Sequence, residues 1–159
     1  MPPNYWMLAD SKENFRSTRE RDFKVQGVKT RQRKKALRMA PGDRLLYYLS
    51  DSRQFAGTAT IASTCFEDHS RVWNDAKPNE DFPYRVEIKP EAILEEDEFM
   101  DAHQVAPRLD YVRRWLPERW TLAFLGNLHL IPKKDFFLIE DEMRKQIKKR
   151  ASGSLQSVP

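Results

Sequence analysis

Gly27-Val28-Lys29-Thr30-Arg31-Gln32-Arg33-Lys34-Lys35-Ala36-Leu37-Arg38-Met39-Ala40-Pro41-Gly42-Asp43 joins a glycine turn, a cationic segment and a chain stop. Thr30 is an N-cap residue type and Pro41-Gly42 punctuates the chain, so the stretch predicts a helix over residues 31–40. From Lys29 to Arg38, six of ten residues are basic and none is acidic. Cations on a first helical turn oppose the helix dipole, at roughly tenths of a kcal/mol per charge. A bound phosphate removes that conflict, because helix N-termini and Lys or Arg side chains both attract anions. The competing reading is an ordinary solvated helix face beside acidic neighbours.

Working outward, residues 4–8 read as a first strand, and Asp10 or Ser11 can cap a helix through about Arg21. Residues 23–28 form a loop or short strand leading to Gly27. Arg44–Leu49 is a strand rich in Leu and Tyr, and residues 54–62 are another, with Gly57 marking a bulge or a close approach. Residues 67–81 form a long polar loop carrying Trp73. Tyr84, Val86 and Ile88 alternate with Arg85, Glu87 and Lys89, the pattern of a half-buried strand. Residues 109–115 predict a short helix, and residues 121–124 and 129–131 predict strands around Gly126-Asn127. Phe136, Ile139, Met143 and Ile147 fall at helical spacing in a closing helix from about Lys133. Short strands mixed with short helices, without a β-α-β rhythm, argue for an α+β fold. The natural candidate is a small mixed barrel of five to six strands flanked by short helices.

A chain of 159 residues suits one domain, taken as residues 1–150 with a small, polar and disordered tail over residues 151–159. The net charge of +4 and pI near 9.2 lean toward anionic partners. The single cysteine, Cys65, forms no intrachain disulfide and fits a reducing compartment. The first residues lack a signal-peptide pattern, and no apolar run approaches the roughly 18 residues of a membrane span. The expectation is a cytoplasmic monomer with no membrane partner.

Aromatic side chains are the second signal, since a flat base stacks on such rings at roughly 1–3 kcal/mol per base. Rings are also the usual filling of a core. Trp6, Tyr47, Tyr48, Phe55, Trp73, Trp115 and Trp120 are spread over many elements. Trp73 differs in having a polar flanking loop, which makes it a loop anchor or a pocket wall. The second basic run, Arg144 to Arg150, sits at a helix C-terminus, where the dipole already favours cations. His69, His103 and His129 show no metal-ligand spacing, and no phosphate loop or dinucleotide fingerprint is present. Neither a metal nor a cofactor is expected. Cys65, Asp68 and His69 would support a hydrolase or nuclease only if they met in one cleft.

The chain resembles the EVE domain. Asn4-Tyr5-Trp6-Met7 is similar to the family's opening aromatic strand. Gly27-Val28-Lys29-Thr30, Ala36-Leu37-Arg38-Met39 and Pro41-Gly42-Asp43 are similar to its Gly-Val-Arg-Asn, Leu-Arg-x-Met and Gly-Asp signature. Tyr47-Tyr48, Ala56-Gly57-Thr58-Ala59 and Phe66-Glu67-Asp68 continue it in order. The resemblance spans residues 4–143, most specifically 4–68. It implies a PUA-like fold, related to YTH and ASCH domains, with a pocket for a flipped-out, modified base. The pattern is departed from at two places. Val25 replaces an aromatic, and Lys29-Thr30 replaces Arg-Asn, leaving fewer hydrogen-bonding groups for a base edge.

The resulting expectation is a non-enzymatic binder of RNA or DNA carrying a modified base. Trp6, Gly27, Val28 and Thr30 match pocket-forming parts of the motif; Asn4, Tyr48 and Trp73 complete the expected base pocket. Lys29, Arg31, Arg33 and Lys34 are the expected phosphate contacts. The alternatives are a small hydrolase or nuclease, and a protein-interaction module whose basic surface meets an acidic partner.

Overall fold

The computed structural model describes residues 2–74, 81–113 and 115–156. Strand β1 (Tyr5–Asp10) leads into helix α1 (Lys12–Glu20) and strand β2 (Val25–Val28). The cationic segment follows as a 3-10 turn, Thr30–Gln32, and a single α-helical turn, α2 (Arg33–Ala36). Strands β3 (Arg44–Leu49), β4 (Gln54–Ile61), the two-residue β5 (Phe66–Glu67) and the long β6 (Tyr84–Ile93) come next. Another two-residue strand, β7 (Met100–Asp101), precedes helix α3 (Ala102–Val105). A series of 3-10 turns then leads to β8 (Leu128–Leu130) and the closing helix α4 (Lys133–Gln156).

The six longer strands curve into a mixed half-barrel in the order β2-β6-β4-β3-β1-β8, with β5 added to β6 and β7 to β4. Only the central pair β1 and β3 runs parallel, in the register Tyr5↔Arg44 through Asp10↔Leu49. Parallel neighbours need a crossover, and α1, β2 and α2 supply it.

Both central strands are buried on both faces, which explains their near-continuous apolar runs. Tyr5, Met7 and Ala9 point into one core with Tyr48, Phe55, Trp120, Phe124 and the α4 residues Phe136, Ile139 and Met143. Trp6 and Leu8 point into the other, with Phe15, Phe23, Val28, Leu45 and Tyr47. Helix α4 is fastened over the first core by Glu140, which is 3% exposed and accepts from Thr58 Oγ1 at 2.6 Å and from Arg44. Gly57 lies at a bulge between β4 and β6. A Cβ there would stand 2.9 Å from Ile93 Cδ1 and 3.0 Å from Ala92 O, so the close approach requires glycine.

The fold class and the barrel agree with the sequence reading; several elements differ. The expected helix over residues 31–40 shrinks to one turn, because Leu37 is exposed while Met39 turns into the core and Asp43 gathers the following backbone. Thr30 is not a cap: it lies inside the 3-10 turn, and its N–H donates to Asp81 O at 3.3 Å. Residues 121–124 form part of a 3-10 stretch, Pro117–Phe124, instead of a strand, and the helix expected over 109–115 is represented among the described residues by the short turn Asp110–Val112. Helix α4 continues to Gln156, past the boundary read at Arg150. No helix among the described residues is long and apolar enough to cross a membrane.

Candidate nucleic-acid interface

The carboxyl ends of β1 and β3 open onto a two-lobed cleft. One lobe, of about 410 Å³, is lined by Ala9, Asp10, Ser11, Glu13, Asn14, Lys29, Ser50 and Asn74. The other, of about 230 Å³, shares Ala9, Lys29 and Ser50 and adds Arg31 and the segment Phe124-Leu125-Gly126-Asn127. The larger lobe falls within the roughly 300–1,000 Å³ of small-molecule sites.

Its polar groups are held by helix-capping chemistry. Ser11 caps α1, its hydroxyl accepting from Asn14 N–H at 3.1 Å. Asp10 Oδ1 accepts from Ser11 N–H at 2.8 Å and from Asn14 Nδ2 at 2.7 Å. Asn14 also binds the Asn74 backbone in both directions, donating at 2.7 Å and accepting at 2.8 Å, and so ties the long loop to α1. Ser50 N–H donates to Asp10 O at 2.9 Å, locking the end of β3 beside β1. Opposite stands Asn127, 3% exposed. Its Oδ1 accepts from Lys29 N–H at 3.2 Å, its Nδ2 donates to Ala9 O at 3.0 Å, and its own carbonyl accepts from Ala9 N–H at 2.7 Å. One amide thus ties the cationic segment to the floor of the cleft.

The cleft is lined by hydroxyls, amides and the carboxylates of Asp10 and Glu13, and by the apolar side chains of Ala9, Phe124 and Leu125. That suits a planar heterocycle with one hydrogen-bonding edge. Lys29 and Arg31 stand at its mouth. Arg33 and Lys34 lie outside it, exposed along an adjoining depression of about 450 Å³ between Arg31 and Lys35. Lys35 Nζ donates to Leu128 O at 2.8 Å and pins the segment to β8. A helix as short as α2 develops little macrodipole, so any anion attraction here comes from the side-chain charges themselves.

The residues expected to form the base pocket do not converge. Trp6 is fully buried, and its Nε1–H donates to Asp43 Oδ2 at 3.0 Å. It is a core residue. Val28 is 1% exposed in the same core. Gly27 admits a neighbour's ring and no ligand: a Cβ there would stand 2.6 Å from Trp73 Cζ3 and 2.7 Å from Phe82 O. Trp73 is the loop anchor, 5% exposed, with Nε1–H donating to Thr18 Oγ1 at 2.8 Å and the Arg85 guanidinium 5.0 Å from its ring centre. Tyr48 lies on the opposite face of the sheet, against Phe55 and Phe124, where burial pushes its phenol up to about 12. Asn4 sits at the far end of β1, about 20 Å from Asp10 at 3.3 Å per residue. Thr30 is exposed beside Lys29 and Arg31.

The EVE domain signature matches residues 4–116, well over half of the chain. The chain belongs to the EVE domain family. Among relatives, a UPF0310 protein of Pyrococcus abyssi is 26% identical over 146 residues, covering 86% of this chain and 97% of that one. Among solved structures, a hypothetical protein from Leishmania major superposes with a TM-score of 0.61 at 18% identity, over 91% of this chain and 97% of that one. The YTH domain of the Zygosaccharomyces rouxii MRB1 protein, in complex with N6-methyladenosine RNA, superposes with a TM-score of 0.62 at 12% identity, over 89% and 86%. At these identities the two structures establish a shared fold.

In this EVE domain the residues Cys65, Asp68 and His69 are each engaged separately. His69 Nδ1 faces Asp81 Oδ2 at 2.9 Å and Nε2 faces Glu67 Oε2 at 3.1 Å, so its partners are carboxylates on opposite sides of the ring. Asp68 accepts from Ser70 N–H and pairs with Arg85. Burial pushes the Cys65 thiol up, away from the nucleophilic thiolate. Asp10, Ser11, Asn14, Ser50 and Asn127, which build the cleft, were legible in sequence only as caps and turns. Capping and ligand binding use the same short polar side chains, and local sequence does not separate the two.

Proposed function

We propose that this EVE domain binds unpaired nucleic acid, RNA or DNA, and seats one modified nucleobase in the cleft between the end of β1, the start of α1 and the 124–127 segment, without carrying out chemistry on it. The observation that carries this reading is the position of Lys29 and Arg31. They are the first cations of the basic segment, and they stand at the mouth of a cleft with a polar edge and an apolar wall. A phosphodiester held along residues 29–34 would place its base at that opening. Flipping a base out of a stack costs a few kcal/mol, least where the strand is already unpaired. The fold shared with a YTH domain solved with N6-methyladenosine RNA supports this class of ligand.

The test fills the cleft and leaves the charges alone. Ser50 is exposed, lines both lobes, and makes its main sheet contact through its backbone. Ser50→Trp is expected to abolish preference among single-stranded 12-mers that carry one central N6-methyladenosine, 5-methylcytidine or unmodified base. Weak, salt-dependent binding should persist. A Ser50→Trp protein that keeps the wild-type preference would place the base elsewhere, and wild-type protein that binds none of the oligonucleotides would remove the reading.

A further inference from the structure

Behind the base cleft lies a second cavity, of about 610 Å³, between the turn Asp110–Val112 and the 3-10 stretch that precedes β8. Tyr111, Trp115 and His129 contribute rings to it, and Leu122 adds an aliphatic wall. The two are separated by the contact between Gly126 and His129. Gly126 lines the base cleft, His129 lines the second cavity, and His129 Nε2 lies 3.2 Å from Gly126 O. Leu125, 67% exposed, lines the base cleft next to Gly126.

Three features of this cavity suit a heterocycle beside a phosphate. Of the chain's four tryptophans, Trp6, Trp73 and Trp120 are at most 6% exposed, whereas Trp115 at the cavity edge is 43% exposed. The Tyr111 hydroxyl lies 2.9 Å from His129 Nδ1. With the His129 Nε2–H donating to Gly126 O, the phenol donates its proton inward and keeps lone pairs for an incoming N–H. Burial holds the His129 pKa below its ordinary value, so the ring is neutral near pH 7. Beside the cavity, the largely exposed Arg113 and Lys134 pair with Asp110 at 2.9 and 3.9 Å, and the buried Asp135 carboxylate accepts from the Asp110 and Tyr111 N–H groups.

We propose that the Tyr111–Trp115–His129 cavity is a second stacking subsite, which takes the base adjacent to the one in the first cleft, so that the domain reads two consecutive unpaired nucleotides. The inference rests on the reading of the first cleft. The Gly126–His129 contact sets the two sites side by side for consecutive bases, and Arg113 and Lys134 are the cations beside the second one.

The experiment titrates wild-type, Trp115→Phe and Trp115→Ala proteins with adenosine monophosphate and with oligoadenylates of two to six nucleotides, reading affinity and tryptophan fluorescence. For wild type, affinity should rise between one and three nucleotides, with quenching of the exposed tryptophan. Trp115→Ala should weaken trinucleotide binding about five- to a hundredfold, the range expected for one lost base stack, and leave monophosphate binding unchanged. Trp115→Phe should keep most of the affinity and lose the quenching. Trinucleotide affinity unaltered in Trp115→Ala overturns the second subsite. If Ser50→Trp also loses its base preference, the first cleft survives that result. Absence of any oligonucleotide binding by wild type removes both.

Discussion

Asn127 carries more of the cleft than any residue singled out in the sequence. It satisfies the Lys29 N–H and the Ala9 carbonyl from a position that is 3% exposed. Asn127→Ala leaves buried backbone groups without partners, at about 1–3 kcal/mol. The urea midpoint should fall with no change in slope, and base preference should weaken because Lys29 loses its anchor; an unchanged midpoint would show that water replaces the amide. His69 acts at the same scale. Hydrogen bonds donated to Asp81 and then Glu67 raise its pKa above the ordinary value of about 6.5. A raised folded-state value means that its stabilising contribution is complete below the unfolded pKa and disappears as pH rises through the folded one. The gap in melting temperature between wild type and His69→Ala should therefore be widest below the ordinary histidine value of about 6.5 and narrow as pH rises above it. A gap that widens with pH would contradict the assignment.

At the scale of elements, β2 and the loop after β5 are mutually fitted. Gly27 leaves room for the Trp73 indole and Phe82 O, and Arg85 clamps the loop from below through Phe82 O, Ser70 and Asp68. Gly27→Ala forces a methyl group into that contact and should destabilise the domain by about 1–3 kcal/mol, as overpacking does, measured by thermal melting. A neutral outcome would mean that Trp73 swings aside without loss. The strands themselves were legible: Arg44–Leu49 and the alternation from Tyr84 were read correctly because side-chain period is a local property of the chain. The cationic helix was not. Its residues have ordinary helix propensity, yet the segment must reach from β2 to the Asp43 hub and surrender Lys35 to β8, and tertiary contacts outweigh propensity over so short a span.

The whole molecule sets the charge pattern around the cleft. Arg31, Arg33 and Lys34 are exposed on one segment, so their contribution to nucleic-acid binding is electrostatic and screened by salt. Replacing all three with Ala should weaken single-strand binding. It should also flatten the plot of log affinity against log salt by roughly 0.7 for each phosphate that the segment no longer neutralises. An unaltered slope would move the strand off this face. In the second basic cluster Lys145 and Arg150 pair with Glu142, Glu95 and Glu98. Lys145→Ala should leave the slope within error.

The amino-acid sequence alone determined the α+β class, most of the longer strands, the basic segment and the EVE family, since each depends on residues close together or on a motif in order. Tertiary structure alone decided which rings are free. Trp6 and Trp115 are the same residue type, and the motif directs attention to the first; packing seals Trp6 against Asp43 and leaves Trp115 at the surface. The cleft likewise draws on residues 9–14, 29–31, 50 and 124–127, which meet only because β1 lies between β3 and β8. Exposure depends on what the rest of the chain places over a side chain, and that is not written in its neighbours.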